Sequence, residues 1–466
     1  MYDLLIQGGI LITPSRSILA DLCIKNGKIA AVLAPGELCE ATDTLDVTGK
    51  YVFPGFIDTH VHSRDGGATY KEDFLHSTRS AAAGGITTLL EMPNAVPAVA
   101  TLENFYRQRE NLASKAYVDF GMWALCVGDL NNDLLPSLEK EGVVGFKFFW
   151  GYAIRRDNFN LIYDPKIMDD SIIPPLTDGE VYRIFQSVAG TQRELAIHAE
   201  NASLIRELTR TIHPSGYHNE YEALMASRPI AAEVTTCQTA ISFAKATGAR
   251  LHILHVTSRE SADLIRKARE SGLPVSGETC PHYLFLTNKD YDRLGNMMKC
   301  YPPIRFQEDQ DALWAALRDG TLNHVCSDHA PHTAEEKQGV LAEVPAGMCG
   351  IESMIPLMLT AVNQGKLTLN QLSAVLSENP AKQYGLYPQK GSLDVGTDAD
   401  ITIVDMNQTG TVKSEELHSV SKVTPFDGFQ LHGIPVATIL RGKLIMWNGE
   451  LIDDCICGRF IKAFSD

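Results

Sequence analysis

Two histidines stand two positions apart at the end of an apolar run. His60 and His62 close a run that starts at residue 52, within the segment DTHVHSR at positions 58–64. Side chains at positions i and i+2 of a β-strand lie on the same face, so the two imidazoles would converge on one point. Imidazole pairs of this kind bind divalent metals such as Zn²⁺. The spacing therefore predicts a metal-binding pair at the end of a strand.

Three further residues of metal-ligand type follow other apolar runs. His198 ends LAIH, His255 ends LHILH, and Asp328 comes directly after VCS. A single histidine in such a run is more often a core residue with one hydrogen bond, and a single aspartate is often a helix cap. Asp328, however, opens the sequence DHAPH, which breaks a helix rather than starting one. Because barrel active sites lie at the carboxyl ends of the strands, the set of five favours one shared metal centre.

Lys147 lies in VVGFKFFW, a run too apolar to keep an ammonium group in water. A buried lysine needs a partner or a lowered pKa. One interpretation is a lysine on a strand edge whose amine reaches solvent. The other is a neutral amine that has taken up carbon dioxide to become a carbamate, which can bridge two metal ions. Four histidines and one aspartate supply little negative charge for two divalent cations, and a carbamate narrows that gap.

Eight β-rich runs would position these residues. They alternate mostly with helical stretches and cover residues 52–60, 86–92, 117–126, 143–150, 195–200, 251–256, 275–279 and 324–327. This alternation predicts an α/β fold, a (β/α)₈ TIM barrel rather than an open doubly wound sheet. Both chain ends are β-rich with turn signals such as Asn26-Gly27. We expect a β-sandwich built from residues 1–50 and 391–466, with the barrel at 51–390.

The composition excludes several classes of function. Lys+Arg is 41 and Asp+Glu is 57 over 466 residues, a net charge of −16, which argues against nucleic-acid binding and a polybasic membrane patch. No apolar run is long enough to span a membrane. An acidic residue, Asp3, stands where a signal peptide needs cations. The ten cysteines are scattered, several of them in apolar runs, so we expect a cytoplasmic protein.

Three segments leave their roles open. Residues 155–179 and 213–229 read as long loops, which are either lids over an active site or surface excursions. Cys455 and Cys457 form a Cys-x-Cys pair, for which ordinary packing and metal binding are the alternatives.

The sequence resembles the cyclic amidohydrolases, a family that includes dihydroorotase, allantoinase and hydantoinase (dihydropyrimidinase). The resemblance covers essentially the whole chain. The motifs that carry it are PGFIDTHVH at 54–62, GFK at 145–147, HAEN at 198–201, HVTS at 255–258, PPIR at 302–305 and SDHAPH at 327–332.

The resemblance implies a set of metal ligands and a catalytic base. His60 and His62 would bind the more buried of two divalent ions, His198 and His255 the second, N6-carboxylated Lys147 would bridge both, and Asp328 would join the first. Asp328 would also act as the base. The ions are expected to be Zn²⁺, although Mn²⁺, Co²⁺ or Fe²⁺ suit the same ligands. The resemblance also implies a homodimer or homotetramer.

The substrate signals conflict. Arg64 and Asn94 resemble dihydroorotase residues that hold a substrate carboxylate, although a structural salt bridge of Arg64 with Glu72 or Asp73 is the alternative. Tyr152 falls where hydantoinases place a tyrosine that stabilises an oxyanion, with plain packing as the alternative. The segment GETCPHY at 277–283 looks most like allantoinase. The remaining expected substrate contacts are Tyr301, which departs from the usual small residue there, Pro302 and Gly350.

The sequence thus predicts a metal-dependent hydrolase that opens a cyclic amide or ureide ring. Allantoin-like and hydantoin-like rings come ahead of dihydroorotate, because GG at 66–67 replaces the usual Pro-Gly turn of dihydroorotases. The alternatives are a dihydroorotase, a non-catalytic scaffold of the same fold, and a one-metal deaminase that leaves Lys147 unmodified. Retention of all six candidate ligands argues against the scaffold.

Overall fold

The computed structural model describes residues 1–162, 169–452 and 456–464. Within these ranges the strands are β1 (Tyr2–Thr13), β2 (Arg16–Lys25), β3 (Lys28–Leu33), β4 (Ala41–Asp46), β5 (Tyr51–Pro54), β6 (Phe56–Val61), β7 (Ile86–Glu91), β8 (Asp119–Leu125), β9 (Gly145–Phe149), β10 (Ala153–Arg155), β11 (Leu161–Ile162), β12 (Ile172–Ile173), β13 (Glu194–His198), β14 (Leu251–Ile253), β15 (Val275–Thr279), β16 (His324–Val325), β17 (Ile401–Thr411), β18 (Gln430–Leu440), β19 (Lys443–Trp447) and β20 (Glu450–Leu451).

The helices over the same ranges are α1 (Phe74–Ala83), α2 (Leu102–Ala113), α3 (Leu135–Lys140), α4 (Asp178–Ala189), α5 (Ala202–Thr211), α6 (Glu220–Ser227), α7 (Ile230–Thr247), α8 (Arg259–Glu270), α9 (Pro281–Phe285), α10 (Tyr291–Leu294), α11 (Gln307–Arg318), α12 (Ile351–Asn363), α13 (Leu369–Ser373) and α14 (Asn379–Gln383). A π-helical turn, Ala374–Glu378, joins α13 to α14. None of these helices is long and apolar enough to cross a membrane.

Among the described residues, eight parallel strands form the central sheet, in the order β6-β7-β8-β9-β13-β14-β15-β16. Every residue of these strands is buried, as expected for a parallel sheet covered on both faces. The two ends of the sheet meet beyond β6 and β16. There the His62 amide donates to the His329 carbonyl at 2.8 Å, and the Ser327 amide donates to Asp58 Oδ1 at 3.0 Å. The predicted α/β barrel is confirmed.

A second sheet is built from both termini, as predicted. Its hydrogen bonds join nine strands of the described chain continuously, in the order β20-β19-β18-β17-β5-β1-β2-β3 with β4 beside β1. The expected run at 52–60 is split: β5 pairs with β1 and β17 in this terminal sheet, and β6 belongs to the barrel. Gly55 separates the two strands, and its amide donates to the Asp400 carbonyl at 2.7 Å.

The two segments expected to be long loops contain regular structure. The first takes in Arg155, the last residue of β10, together with β11 and β12, and these strands form a small three-stranded sheet; residues 163–168 of this segment lie outside the described residues. Ile154 and Ile173 of that sheet are buried in a cluster with Phe149 at the end of β9. The second segment is largely α6, which follows a short 3₁₀ turn at Pro214–Gly216. The loop interpretation was wrong for these parts. The elements there are short, and the turn-forming residues on either side of them suggested a continuous loop.

The end of the chain leaves the terminal sheet and lies against the barrel. The Phe120 amide donates to the Arg459 carbonyl at 3.0 Å, and the Ile461 amide donates to the Phe120 carbonyl at 2.8 Å. Cys457 is half-buried, whereas Cys455 lies outside the described residues, so the expected Cys-x-Cys pair remains a prediction.

Candidate metal centre

Five of the six predicted metal ligands stand at or just beyond the carboxyl ends of barrel strands, and the sixth, Lys147, is in the middle of its strand. His60 is in β6 and His62 follows it, Lys147 is in β9, His198 ends β13, His255 follows β14, and Asp328 follows β16. The barrel therefore brings residues from five strands to one end, although these residues are spread along the chain from position 60 to position 328.

His60, His62 and Asp328 form one group. Asp328 Oδ1 lies 3.4 Å from His60 Nε2 and 3.6 Å from His62 Nε2. These separations suit three ligand atoms that share one metal ion, because Zn–N and Zn–O bonds are about 2.0–2.2 Å long. Burial lowers the pKa of His62 to about 4, so its imidazole is neutral at physiological pH, as a metal ligand must be.

His198 and His255 form a second pair. His198 Nδ1 lies 3.1 Å from His255 Nε2. The His255 ring is also close to the first group, with its centre 5.5 Å from the centre of the His60 ring. Burial holds the pKa of His255 well below its usual range, so this imidazole is neutral too. The four histidines thus present four ring nitrogens to a common space.

The outward-facing nitrogens of three of these rings have partners that fix the ring orientation. His60 Nδ1 lies 2.8 Å from Glu278 Oε1, and His62 Nδ1 lies 2.7 Å from Asn94 Oδ1. His198 Nε2 lies 3.0 Å from Glu200 Oε2. A metal-binding histidine typically donates its second N–H to a carboxylate or carbonyl oxygen, which leaves a lone pair on the inner nitrogen. This is the arrangement seen here.

Lys147 is fully buried, and its Nζ has no hydrogen-bond partner among the described residues. The Nζ atom lies 4.4 Å from the centre of the Phe149 ring. Burial lowers the pKa of the amine to about 7. The interpretation of a lysine that reaches solvent from a strand edge is therefore wrong, and the side chain has the neutral fraction that carbamate formation requires.

The backbone is strained at three of the predicted site residues. Arg64, His255 and Asp328 have positive φ angles of 59°, 37° and 46°. Non-glycine residues rarely adopt this region, and such residues cluster at functional sites. Burial alone would raise the pKa of Asp328, but the attraction of His60 and the contact with His62 hold it well below its usual range. Asp328 is therefore a carboxylate that faces the histidines.

Arg64 and Asn94 line a cavity of about 350 Å³ beside His62. Arg64 Nε donates to the Pro331 carbonyl at 3.3 Å, and its Nη2 lies 3.3 Å from His332 Nε2. The suggested salt bridge with Glu72 or Asp73 was wrong. Glu72 accepts hydrogen bonds from the terminal part of the chain at positions 419 and 420, and Asp73 caps α1.

Tyr152 and Tyr301 lie near His198 and its partner Glu200. The Tyr152 ring packs edge-on against His198, with ring centres 5.4 Å apart. Burial raises the pKa of Tyr152, which keeps its proton available for donation. The Arg228 guanidinium lies 3.4 Å from the centre of the Tyr301 ring and contacts Glu200. Tyr301 thus packs against the cation that orients the partner of His198.

Pro302 and Gly350 are placed by backbone contacts with neighbouring residues. The Pro302 carbonyl accepts a hydrogen bond from the Tyr283 hydroxyl at 2.8 Å. Gly350 packs closely against the residue that precedes Asp328: a Cβ atom at position 350 would lie 3.0 Å from the Ser327 carbonyl oxygen. The roles of both residues as substrate contacts stay predictions.

Sequence reasoning missed the residues that orient the histidines. Glu278 and Glu200 occur in the segments GETCPHY and HAEN, which were noted only for their resemblance. Arg228 carried no signal, because nothing in its neighbourhood indicates that α6 brings it to Glu200. A carboxylate two residues after a strand-end histidine, as in HAEN, is the signal that could have identified Glu200.

Comparisons with known proteins cover nearly the whole chain. The profile described as "Amidohydrolase family" matches residues 51–445. L-hydantoinase of Paenarthrobacter aurescens is 35% identical over an alignment of 469 positions that covers 99% of this chain and 98% of that protein. Allantoinase of Enterococcus faecalis is 34% identical over 99% of both chains. The solved structure of L-hydantoinase (dihydropyrimidinase) from Arthrobacter aurescens matches with a TM-score of 0.92 at 34% identity, covering 99% of this chain and 100% of that chain.

Proposed function

Because the chain belongs to the amidohydrolase family, we propose that it is a metal-dependent hydrolase that opens a cyclic amide or ureide ring. One observation carries the proposal. Four buried histidines present ring nitrogens to a common space beside Asp328, and three of them are tied through the other nitrogen to Glu278, Asn94 or Glu200.

The residues present fit two divalent ions. His60, His62 and Asp328 would hold one ion, and His198 with His255 would hold the other. The buried Lys147 amine, which lacks a hydrogen-bond partner among the described residues, would react with carbon dioxide. A bond would form between Nζ and the carbon atom of carbon dioxide, and the proton released from the nitrogen would pass to water. Carboxylated Lys147 would then be a further anionic ligand of the ions and balance part of their charge.

When bound, the ions would supply a hydroxide at neutral pH, since a metal lowers the pKa of bound water from about 15.7 to about 7, and would polarise the ring carbonyl. Asp328 would accept the proton of the attacking nucleophile and pass it to the leaving ring nitrogen. The Tyr152 phenol, which burial keeps protonated, would donate a hydrogen bond to the developing oxyanion. The product is a chain acid.

We propose rings of the hydantoin and allantoin type as substrates. The named relatives are L-hydantoinase and allantoinase. A dihydroorotase activity is the second candidate, and the position of Arg64 and Asn94 in the cavity beside His62 favours it. Against it, two of the Arg64 nitrogens already contact Pro331 and His332, which leaves less of the guanidinium for a substrate carboxylate.

The test is a substrate panel on protein of measured metal content. We expect about two metal equivalents per chain, added carboxylate mass on Lys147, and ring opening of allantoin or hydantoins ahead of dihydroorotate, dihydropyrimidines and cyclic imides. Protein without stoichiometric metal under metal-replete conditions would support the scaffold interpretation. One equivalent with unmodified Lys147 would support the deaminase. The expected homodimer or homotetramer stays a prediction.

A further inference from the structure

Glu278 lies beneath the candidate metal centre and is surrounded by hydrogen-bond donors. Its Oε1 lies 2.8 Å from His60 Nδ1, while Oε2 accepts from Thr59 Oγ1 at 3.0 Å and lies 2.8 Å from His324 Nε2. An ionised carboxylate can only accept hydrogen bonds. If Glu278 is ionised, His60 must carry its proton on Nδ1, and the lone pair of Nε2 then faces Asp328.

A chain of polar groups reaches Glu278 from the opposite end of the barrel, and it begins at an exposed residue and continues through half-buried and buried ones. It starts at Arg269 on α8, whose Nη1 donates to Asn323 Oδ1 at 2.9 Å. A guanidinium has donors and no acceptor, so the oxygen of the Asn323 amide must face Arg269. The amide nitrogen of Asn323 then donates to Gln383 Oε1 at 3.0 Å.

The direction of donation continues into the barrel. Because Gln383 accepts through its oxygen, its nitrogen faces inward and donates to His252 Nδ1 at 2.8 Å and to Ser276 Oγ at 2.9 Å. The Ser276 hydroxyl also lies 2.8 Å from His252 Nδ1, and it can donate to that nitrogen as well. His252 is therefore the tautomer that carries its proton on Nε2. That nitrogen lies 3.4 Å from Glu278 Oε2, which is an electrostatic contact rather than a hydrogen bond, and the His252 ring is parallel to the His324 ring, with centres 5.0 Å apart.

We propose that Asn323 and Gln383 are positioning residues for the metal centre. They fix the tautomer of His252, so that its N–H faces Glu278. Glu278 then remains the acceptor for His60 Nδ1, which keeps the His60 Nε2 lone pair available to a metal. The inference rests on the proposed metal-dependent function, and it assigns a role to the end of the barrel opposite the reaction.

The first experiment reads tautomers directly in the metal-free wild-type protein by nitrogen NMR after selective ¹⁵N-histidine labelling. We expect the proton on Nδ1 of His60 and on Nε2 of His252. The opposite tautomer on either ring would overturn the proposal. This measurement requires neither a variant nor activity, so it tests the chain of hydrogen bonds separately from the proposed function.

The second experiment reverses the direction of the hydrogen bond between Gln383 and His252. Gln383→Glu preserves the shape of the side chain but replaces the donor amide by an acceptor, so we expect the His252 proton to move to Nδ1. Zn²⁺ affinity of the metal-free protein, measured by calorimetry, should fall about 10- to 100-fold, as for other residues that orient metal ligands. Asn323→Asp should act in the same direction if Gln383→Glu does not fold.

The matched control is Lys382→Gln. Lys382 is adjacent to Gln383 on α14, and both residues line one cavity together with Asn323. We expect wild-type Zn²⁺ affinity and an unchanged His252 tautomer in this variant. A folded Gln383→Glu protein with wild-type affinity and tautomers would overturn the proposal. If the wild type itself binds no Zn²⁺, that result contradicts the proposed metal centre rather than the tautomer assignment.

Discussion

At the scale of single residues, Lys147 is fully buried, and its amine has no hydrogen-bond partner among the described residues. Burying an amine without a hydrogen-bond partner is unfavourable, and its pKa falls to about 7 as a result. We expect Lys147→Ala to lose measurable ring opening, with partial rescue by short carboxylic acids that occupy the position of the carbamate. The measurement is kcat with and without added acetate or propionate.

The control for Lys147 is Lys140→Ala, at the exposed end of α3, which should keep wild-type kcat and show no response to added acid. Full activity of Lys147→Ala without additive would refute the carbamate role.

Asp328 combines the roles of ligand and base, and the two can be separated. Asn at this position keeps an oxygen that can bind a metal but cannot accept the proton. We expect Asp328→Asn to retain most of the bound metal while kcat falls about 10²- to 10⁴-fold, the usual contribution of general acid–base catalysis. Metal content by mass spectrometry and steady-state kinetics check the two parts. Wild-type turnover in this variant would remove Asp328 from the mechanism.

Arg64 distinguishes the two candidate substrate classes. A charge-assisted hydrogen bond to a carboxylate contributes about 1.5–3 kcal/mol, so Arg64→Met should lower kcat/KM for dihydroorotate about 10- to 150-fold. A neutral hydantoin should be affected far less. Equal losses on both substrates would mean that the contacts of Arg64 with Pro331 and His332 are its main role.

At the scale of elements, the sequence predicts the barrel well because fully buried parallel strands are continuous apolar runs. The strand-end positions of His60, His198 and Asp328 were readable for the same reason. The partner contacts were not: Glu278 meets His60 across 218 positions of the chain, and only the assembled sheet sets such pairings. The break at Gly55 was also hidden, since apolar residues lie on both sides of it.

Gly55 marks the passage from the terminal sheet to the barrel. A Cβ atom there would lie 2.0 Å from Thr87 Oγ1 and 2.8 Å from Thr87 Cβ, so β6 and β7 would have to move apart. We expect Gly55→Ala to destabilise the protein by about 1–3 kcal/mol, the usual effect of overpacking. Urea unfolding measures the loss.

The companion variant Thr87→Ala should recover part of the loss in the double mutant, because it removes the two nearest atoms, Oγ1 and Cγ2, and leaves only Cβ at 2.8 Å. Gly179→Ala, where a Cβ atom meets nothing within 4 Å, is the control and should unfold like the wild type. An unchanged stability of Gly55→Ala would contradict the close approach of β6 and β7.

At the scale of the whole molecule, Lys390 links the barrel to the terminal sheet. Its buried ammonium lies 2.6 Å from Asp119 Oδ2 at the start of β8 and 3.0 Å from Asp398 Oδ2, and it also contacts Asp400 beside β17. Arg441 contacts Asp119 as well. The three buried carboxylates are thus neutralised by Lys390 and Arg441 together with Lys28 and Arg459, which both pair with Asp398.

The stability of this link has a defined pH dependence. Burial would raise the pKa of Asp398, but Lys390 and Lys28 lower it from the ordinary 3.8 to about 2. A lowered carboxyl pKa stabilises the folded state above about pH 4, and this contribution disappears as the pH falls through 2. Burial opposes the charge of Lys390, yet the surrounding aspartates raise its pKa, so its contribution is present throughout the neutral range.

We therefore expect Lys390→Met to lower the free energy of unfolding by about 3–5 kcal/mol at pH 7, the usual effect of removing one partner of a buried ion pair. The difference in the free energy of unfolding between wild type and Lys390→Met should decrease between pH 4 and pH 2, because protonation of Asp398 removes the same interaction. Lys382→Met, which removes a surface pair with Glu378, should change stability by no more than about 1 kcal/mol. Urea unfolding at pH 7 and pH 3 measures these free energies. If the difference between wild type and Lys390→Met stays constant across this range, Lys390 stabilises the molecule through packing rather than charge.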